Sequence, residues 1–250
     1  MRKQYLESGE DMQRIIFIIF RMFFQVIWYF RKICWFSKEK NHDINGIHKL
    51  LQSACKTVIK KGRVKANVLG VENIPKEDGF VFYPNHQGMF DVLMVFASCP
   101  RPFAFVFKKE LENIILLKQI IKATGSKTMD RSDLRQSVKV ITEVTTEVKN
   151  GRNFLIFAEG TRSKQGNNLL EFKGGSFKAA TNAKCPIVPC AFIDSYRPFD
   201  EKGIKPVEVT LIYLPPILYD EYKDMKASDI ALEVKNRIQK AINNYNSKSY

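Results

Sequence analysis

The 250-residue sequence predicts an α/β fold, a mostly parallel central sheet flanked by helices, with an N-terminal amphipathic helical hairpin ahead of it. Two observations carry this. From residue 63 onward, short β-branched and aromatic runs alternate with stretches of helical period, the pattern of a parallel sheet covered on both faces. Before that point a long apolar and aromatic stretch is followed by a second amphipathic helix that ends at Gly62. The chain divides accordingly into N-terminal helices at 1–62 and one α/β domain at 63–250, large enough to bury one sizeable core.

The first element is a helix over 15–36. It contains both tryptophans, Trp28 and Trp35, but Arg21 and Gln25 interrupt a run already short for the roughly 20 apolar residues of a bilayer crossing. Arg14, Arg21, Gln25 and Lys32 are spaced so that, at ~100° per residue, they fall within about 20° of one line on the helix surface. Ile16, Phe23, Ile27 and Phe30 lie opposite. A narrow polar stripe on a very apolar helix suits a segment lying in the membrane plane, with the basic side expected at the headgroups. Trp28, Tyr29 and Trp35 are interface residues by type. No small-residue cleavage site follows, so the segment is expected to be retained. The second helix carries Ile44, Ile47, Leu51, Cys55 and Val58 at helical spacing, and is expected to pair with the first as a membrane-resting hairpin.

Strands are then expected at 64–69, 80–83, 103–107, 153–157, 187–193 and 207–214, each rich in Val, Ile or Phe. Helices are expected at 89–97, 111–123, 133–149, 176–183 and 228–244. The clearest period is Leu134, Val138, Ile141, Val144 and Val148, opened by Asp133 and closed near Gly151. That stripe reads as core.

Composition narrows the partners. Forty Lys and Arg against 26 acidic residues leave a net charge of +14, which favours anionic partners such as phospholipid surfaces, phosphorylated substrates or acidic carrier proteins. Nucleic acid is not expected, because no zinc knuckle, RNA-binding signature or helix-turn-helix accompanies the charge. The five cysteines are odd in number and form no C-x-x-C pair, which fits reduced thiols in a cytoplasmic compartment and no metal or redox centre.

The chemistry concentrates in Asn85-His86-Gln87-Gly88-Met89-Phe90-Asp91, at a strand-to-helix turn. In open α/β sheets ligands bind at that edge. A carboxylate on one nitrogen of His86 fixes its tautomer, and the other nitrogen is left to take a proton from a hydroxyl. No G-x-S-x-G elbow or paired cysteine supplies a protein nucleophile, so the hydroxyl is expected to be the substrate's. In isolation His86 and Asp91 also fit a structural histidine and a helix cap.

A second motif, Phe157-Ala158-Glu159-Gly160-Thr161-Arg162-Ser163, follows the strand at 153–157 and should emerge at the same edge. Gly160 permits a tight turn and Arg162 offers a planar fork for phosphate or carboxylate. Glu159 is expected to orient that arginine or to bind a substrate hydroxyl. Taken alone, E-G-T-R also fits a surface turn with a salt bridge.

Together the two motifs resemble the glycerolipid acyltransferase family, specifically the 1-acyl-sn-glycerol-3-phosphate acyltransferases, whose hallmarks are N-H-x-x-x-x-D and F-P-E-G-T-R in that order. Lys109-Glu110-Leu111, Met129-Asp130-Arg131, Phe172-Lys173-Gly174-Gly175 and Ile187-Val188-Pro189-Cys190 are weaker matches, and the likeness spans about residues 64 to 215. Gly88 stands where many members carry Ser, which removes a hydroxyl that could brace the loop, and Ala158 replaces the usual Pro.

The resemblance implies transfer of a fatty acyl group from acyl-CoA or acyl-carrier protein to the sn-2 hydroxyl of lysophosphatidate, giving phosphatidate. It implies His86 as general base, Asp91 as its orienting carboxylate, and Arg162, Lys109 and Arg131 as holders of the acceptor phosphate. Glu159, Gly160 and Thr161 would complete the acceptor loop, with backbone amides near Gly88 or Gly160 as oxyanion donors. No metal or cofactor is needed for direct transfer, and a peripheral site on the cytoplasmic face of the membrane is expected. The same chemistry on another acceptor, or a non-catalytic membrane-binding role, stays open at this level.

Overall fold

The computed structural model describes residues 12–247. Its strands are β1 (Val64–Leu69), β2 (Val81–Pro84), β3 (Ala104–Lys108), β4 (Lys127–Met129), β5 (Phe154–Leu155), β6 (Ile187–Ile193) and β7 (Val207–Tyr213). They form one sheet in the order β1-β7-β6-β2-β5-β3-β4. Every neighbouring pair is parallel except β6 with β7. The fold class expected from the alternation is therefore the observed one, with two differences. β4 is an extra edge strand of three residues, too short to show alternation, and only Phe154–Leu155 of the run at 153–157 pairs as strand.

The helices are α1 (Met12–Arg21), α2 (Phe23–Phe36), α3 (Ile44–Lys61), α4 (Phe90–Ser98), α5 (Ile115–Thr124), α6 (Leu134–Lys149), α7 (Gly174–Ala183), α8 (Arg197–Asp200), α9 (Tyr219–Tyr222) and α10 (Ala227–Ser247). The sheet divides the core in two, as alternating side chains on a buried strand require. Phe80 and Phe82 join Met94 of α4 and Leu51 of α3 on one face. Val81 and Tyr83 join Val144 of α6, Phe177 of α7 and Val234 of α10 on the other. Asp43 and Asp133 cap α3 and α6, accepting the Gly46 and Gln136 amides at 3.0 Å each.

The N-terminal segment departs from expectation. The single helix over 15–36 is two helices, broken at Met22 and bent by 88°. Among the described residues no single helix is long and apolar enough to cross a membrane; α1 and α2 reach the required length only as this bent pair. The two arginines of the polar stripe turn to the protein itself. Arg14 is buried and donates to the carbonyls of Gly62 and Lys205 at 2.8 Å each, while Arg21 donates to the Lys61 carbonyl at 2.8 Å. The two guanidinium groups thus satisfy open carbonyls at the end of α3, where the helix dipole favours positive charge. The outward surface carries large apolar side chains, with Phe20 84% and Phe24 82% exposed beside Ile16, Phe23 and Ile27, and the exposed Gln25, Arg31 and Lys32 among them.

Packing continues from α2 onto α3. Contacts run from Arg21 with Lys61, through the Tyr29 hydroxyl at 3.0 Å from Ser53, to Phe36 beside Gly46, so the two helices are antiparallel. Buried Ile47, Leu51, Cys55 and Ile59 seat α3 in the same core as the sheet.

Candidate active site

Strands β2, β5, β3, β4 and β6 point the same way, so the segments that leave them share one edge. That edge receives His86 after β2, Lys109 after β3, Arg131 after β4, Glu159 to Arg162 after β5 and Ser195 after β6. Residues scattered over the chain are assembled there by topology.

His86 Nδ1 lies 2.7 Å from Asp91 Oδ2. A carboxylate in this pair only accepts, so Nδ1 is the protonated donor and Nε2 carries the lone pair. Nε2 has no protein partner among the described residues, and 17% of the side chain is exposed. The ring stacks on Phe157, with centroids 3.8 Å apart and planes 21° off parallel. Asp91 is fully buried at the start of α4 and is satisfied on both oxygens. Its Oδ2 also accepts the Gln87 and Gly88 amides at 2.7 and 3.1 Å, and its Oδ1 accepts the Ser195 hydroxyl at 2.5 Å. Such a carboxylate is held rigidly and stays paired without water.

Glu159 holds backbone amides. It is buried, and its two oxygens accept the backbone amides of His86 at 2.8 Å and Leu170 at 3.2 Å. Burial pushes its carboxyl up to about 7 despite those two amides. Glu159 is thus the tie between the two motif loops, reinforced by the Ser163 amide donating to the His86 carbonyl at 2.8 Å. The amides proposed as oxyanion donors are engaged as well. Gly88 donates to Asp91, and Gly160 to the Phe157 carbonyl at 3.1 Å.

Gly160 has φ +74°, and a Cβ on it would meet the Lys173 ammonium at 3.0 Å. The positive φ favours glycine there, and a Cβ would also push on the Lys173 side chain. The Arg131 guanidinium donates to the Gly160 carbonyl, and Lys109 pairs with Asp130 at 3.6 Å. These contacts gather Lys109, Arg131, Lys173 and the E-G-T-R loop, whose Thr161 is exposed and Arg162 half-exposed. The result is a cationic rim beside the imidazole, suited to a phosphate.

Several functional residues had no signal of their own. Ser195 reaches Asp91 across 104 positions of sequence, and its amide donates to Gln87 Oε1 at 2.8 Å. The Gln87 amide group donates to Asn167 at 2.8 Å and so holds the loop after E-G-T-R. Asn85 pairs with both backbone groups of Phe192 in β6, at 2.7 and 3.0 Å. A Cβ at Gly88 would stand 3.0 Å from the Tyr196 Cα. The close approach that leaves little room for a side chain at 88 lies next to Ser195, whose hydroxyl reaches Asp91.

Comparison with known proteins agrees with this architecture. The profile of a family described as Acyltransferase matches residues 65–193, just over half the chain. A 1-acyl-sn-glycerol-3-phosphate acyltransferase of Cocos nucifera is 29% identical over 149 residues, covering 58% of this chain and 48% of that protein. One from Helicobacter pylori is 29% identical over 157 residues, covering 62% and 65%. The matched region spans about half to two-thirds of the length of these relatives. The crystal structure of the 1-acyl-sn-glycerophosphate acyltransferase of Thermotoga maritima superposes with a TM-score of 0.76 at 21% identity, over 94% of this chain and 97% of that one. The fold is therefore shared with it.

Proposed function

Because the chain belongs to the acyltransferase family, we propose that it transfers a fatty acyl group from a thioester to the sn-2 hydroxyl of 1-acyl-glycerol 3-phosphate, forming phosphatidate. The observation that supports this reading most is the His86 ring, clamped by Asp91 at Nδ1 and open at Nε2, at the edge that also carries the E-G-T-R loop. Nε2 takes the hydroxyl proton as the oxygen attacks the thioester carbonyl. The tetrahedral intermediate collapses, the carbon–sulfur bond breaks, and the imidazolium returns its proton to the leaving thiolate. Asp91 stabilises the imidazolium in between, and general-base action of this kind contributes about 10² to 10⁴ in rate.

The acceptor phosphate is assigned to Arg162, with Arg131 and Lys109 beside it and Lys173 added by its place against Gly160. Acyl-CoA and acyl-carrier protein both fit the donor role, since either leaves a thiol. The exposed apolar face of α1 and α2 favours seating at the cytoplasmic face of a membrane, because a patch containing Phe20, Phe24 and Ile16 is costly in water. An acyl chain would then move to the site without leaving apolar surroundings.

The test is thiol release from palmitoyl-CoA and palmitoyl-acyl-carrier protein with and without lysophosphatidate. Release that depends on the acceptor and falls with glycerol 3-phosphate or lysophosphatidylcholine is expected. Release at the same rate without any acceptor would make the protein a thioesterase and defeat the proposal.

A further inference from the structure

A groove of about 580 Å³ runs between α2 and α3, lined by none of the motif residues. Its walls include Lys49, Lys56, Lys60 and Lys61 of α3 with Gln25 of α2, and no carboxylate lines it. Lys49, Ser53, Lys56 and Lys60 recur every three or four residues, so they form one stripe about 16 Å long at 1.5 Å per residue. Among the described residues none of the amines of Lys49, Lys56, Lys60 and Lys61 has a carboxylate within ion-pair distance. Four unpaired amines facing one concavity repel one another, and an anion relieves that repulsion.

Two neighbours say what kind of anion. On one side the groove borders α2, where Phe24 next to Gln25 and Trp28 three positions on are 82% and 52% exposed. On the other, Lys56 and Lys60 also form the rim of an adjoining cavity of about 360 Å³, floored by Ile59, Val64, Val68 and Met94. Amines set between two apolar surfaces match an anionic head that carries hydrocarbon. A helix of an acidic carrier protein would meet the charge but leave both apolar surfaces in water.

We propose that the α2–α3 groove is a binding site for an anionic phospholipid, whose phosphate lies on Lys49, Lys56 and Lys60 while the outer faces of α1 and α2 enter the acyl layer. The proposal rests on the membrane seating inferred above and assigns its headgroup contacts to α3. Arg14 and Arg21 donate to carbonyls at the end of α3, and these lysines join the exposed Arg31 and Lys32 of α2 as cations open to a lipid headgroup.

Flotation of the full chain with vesicles tests it, using phosphatidylcholine alone and phosphatidylcholine with a minority of phosphatidylglycerol. Wild type should prefer the anionic vesicles, and molar salt should remove the preference. The triple variant Lys49→Gln, Lys56→Gln, Lys60→Gln should lose about fivefold per lysine, about a hundredfold together. A control triple on the opposite sheet face, Lys178→Gln, Lys226→Gln, Lys240→Gln, should keep the preference. Turnover of soluble short-chain lysophosphatidate should be unchanged in the groove variant. Equal losses in both triples, or displacement of wild type by millimolar inorganic phosphate at matched ionic strength, would overturn the headgroup site. So would a groove variant that keeps its vesicle preference and loses only affinity for an acidic carrier protein. Wild type that floats equally with both vesicles overturns the groove and leaves the membrane seating standing; wild type that floats with neither overturns the seating itself.

Discussion

A single carboxylate governs the chemistry at residue scale. Asp91 accepts from one imidazole, two amides and one hydroxyl, and each of those donors has its own anchor elsewhere in the loops. The Ser195 contribution is separable. A hydrogen bond to a charged acceptor is worth about 1.5–3 kcal/mol, so Ser195→Ala should lower kcat by about 10- to 100-fold with KM little changed. A kcat equal to wild type would remove Ser195 from the catalytic network. Glu159 carries a different prediction. Its folded pKa lies above the unfolded value, so its ionisation costs stability as pH rises from about 4.5 through about 7. Glu159→Gln should flatten that part of the pH–stability curve but set an amide N–H against a backbone donor, so the motif loops loosen and activity falls. Urea midpoints across this range would check it. The pair His86 and Asp91 was legible because both sit within one turn of sequence. Ser195, the contact of Lys173 with the Gly160 turn and the buried fate of Glu159 were not, since these partners are set by strand order and by φ at Gly160.

Among the elements, α1 and α2 teach most. Periodicity found the stripe of Arg14, Arg21, Gln25 and Lys32, but periodicity is symmetric with respect to inside and outside. The end of α3 sets the direction of the two arginines, since its open carbonyls at Lys61 and Gly62 accept from the guanidinium groups. Removing the Arg14 guanidinium as Arg14→Met keeps the stem and strands two carbonyls, which should cost about 2–3 kcal/mol in a chemical denaturation curve. The opposite face predicts membrane behaviour. Phe20→Ser with Phe24→Ser should weaken binding to neutral vesicles at least tenfold, since a buried Phe contributes roughly 1.5–3 kcal/mol. Retained binding would place the lipid contact elsewhere. β4 escaped sequence reading for a related reason: Lys127-Thr128-Met129 is half-buried at a sheet edge and has neither alternation nor length.

At the scale of the whole molecule, the antiparallel junction of β6 and β7 matters most. It turns β7 and its parallel partner β1 over, so the starts of both strands, with the end of α3 and buried Arg14, lie at the catalytic edge. Alternation alone could predict a mostly parallel sheet but not this reversal, which depends on long-range pairing. The core answers to pH through His48, buried beside Phe96 and Phe103 with Nε2 on the Cys99 carbonyl at 3.0 Å. Burial lowers its pKa, so the folded ring stays neutral while the unfolded one takes up a proton below about 6.5. Stability should fall as pH drops through that value, and should fall less in His48→Gln.

The account as a whole stands on Nε2 of His86 accepting a proton from a lipid alcohol. Acceptor-dependent thiol release by His86→Ala measures this most directly. A fall of about 10² to 10⁴ in rate is predicted, with vesicle binding and the unfolding midpoint unchanged. Turnover at the wild-type rate would contradict the mechanism, whatever else the edge of the sheet turned out to bind.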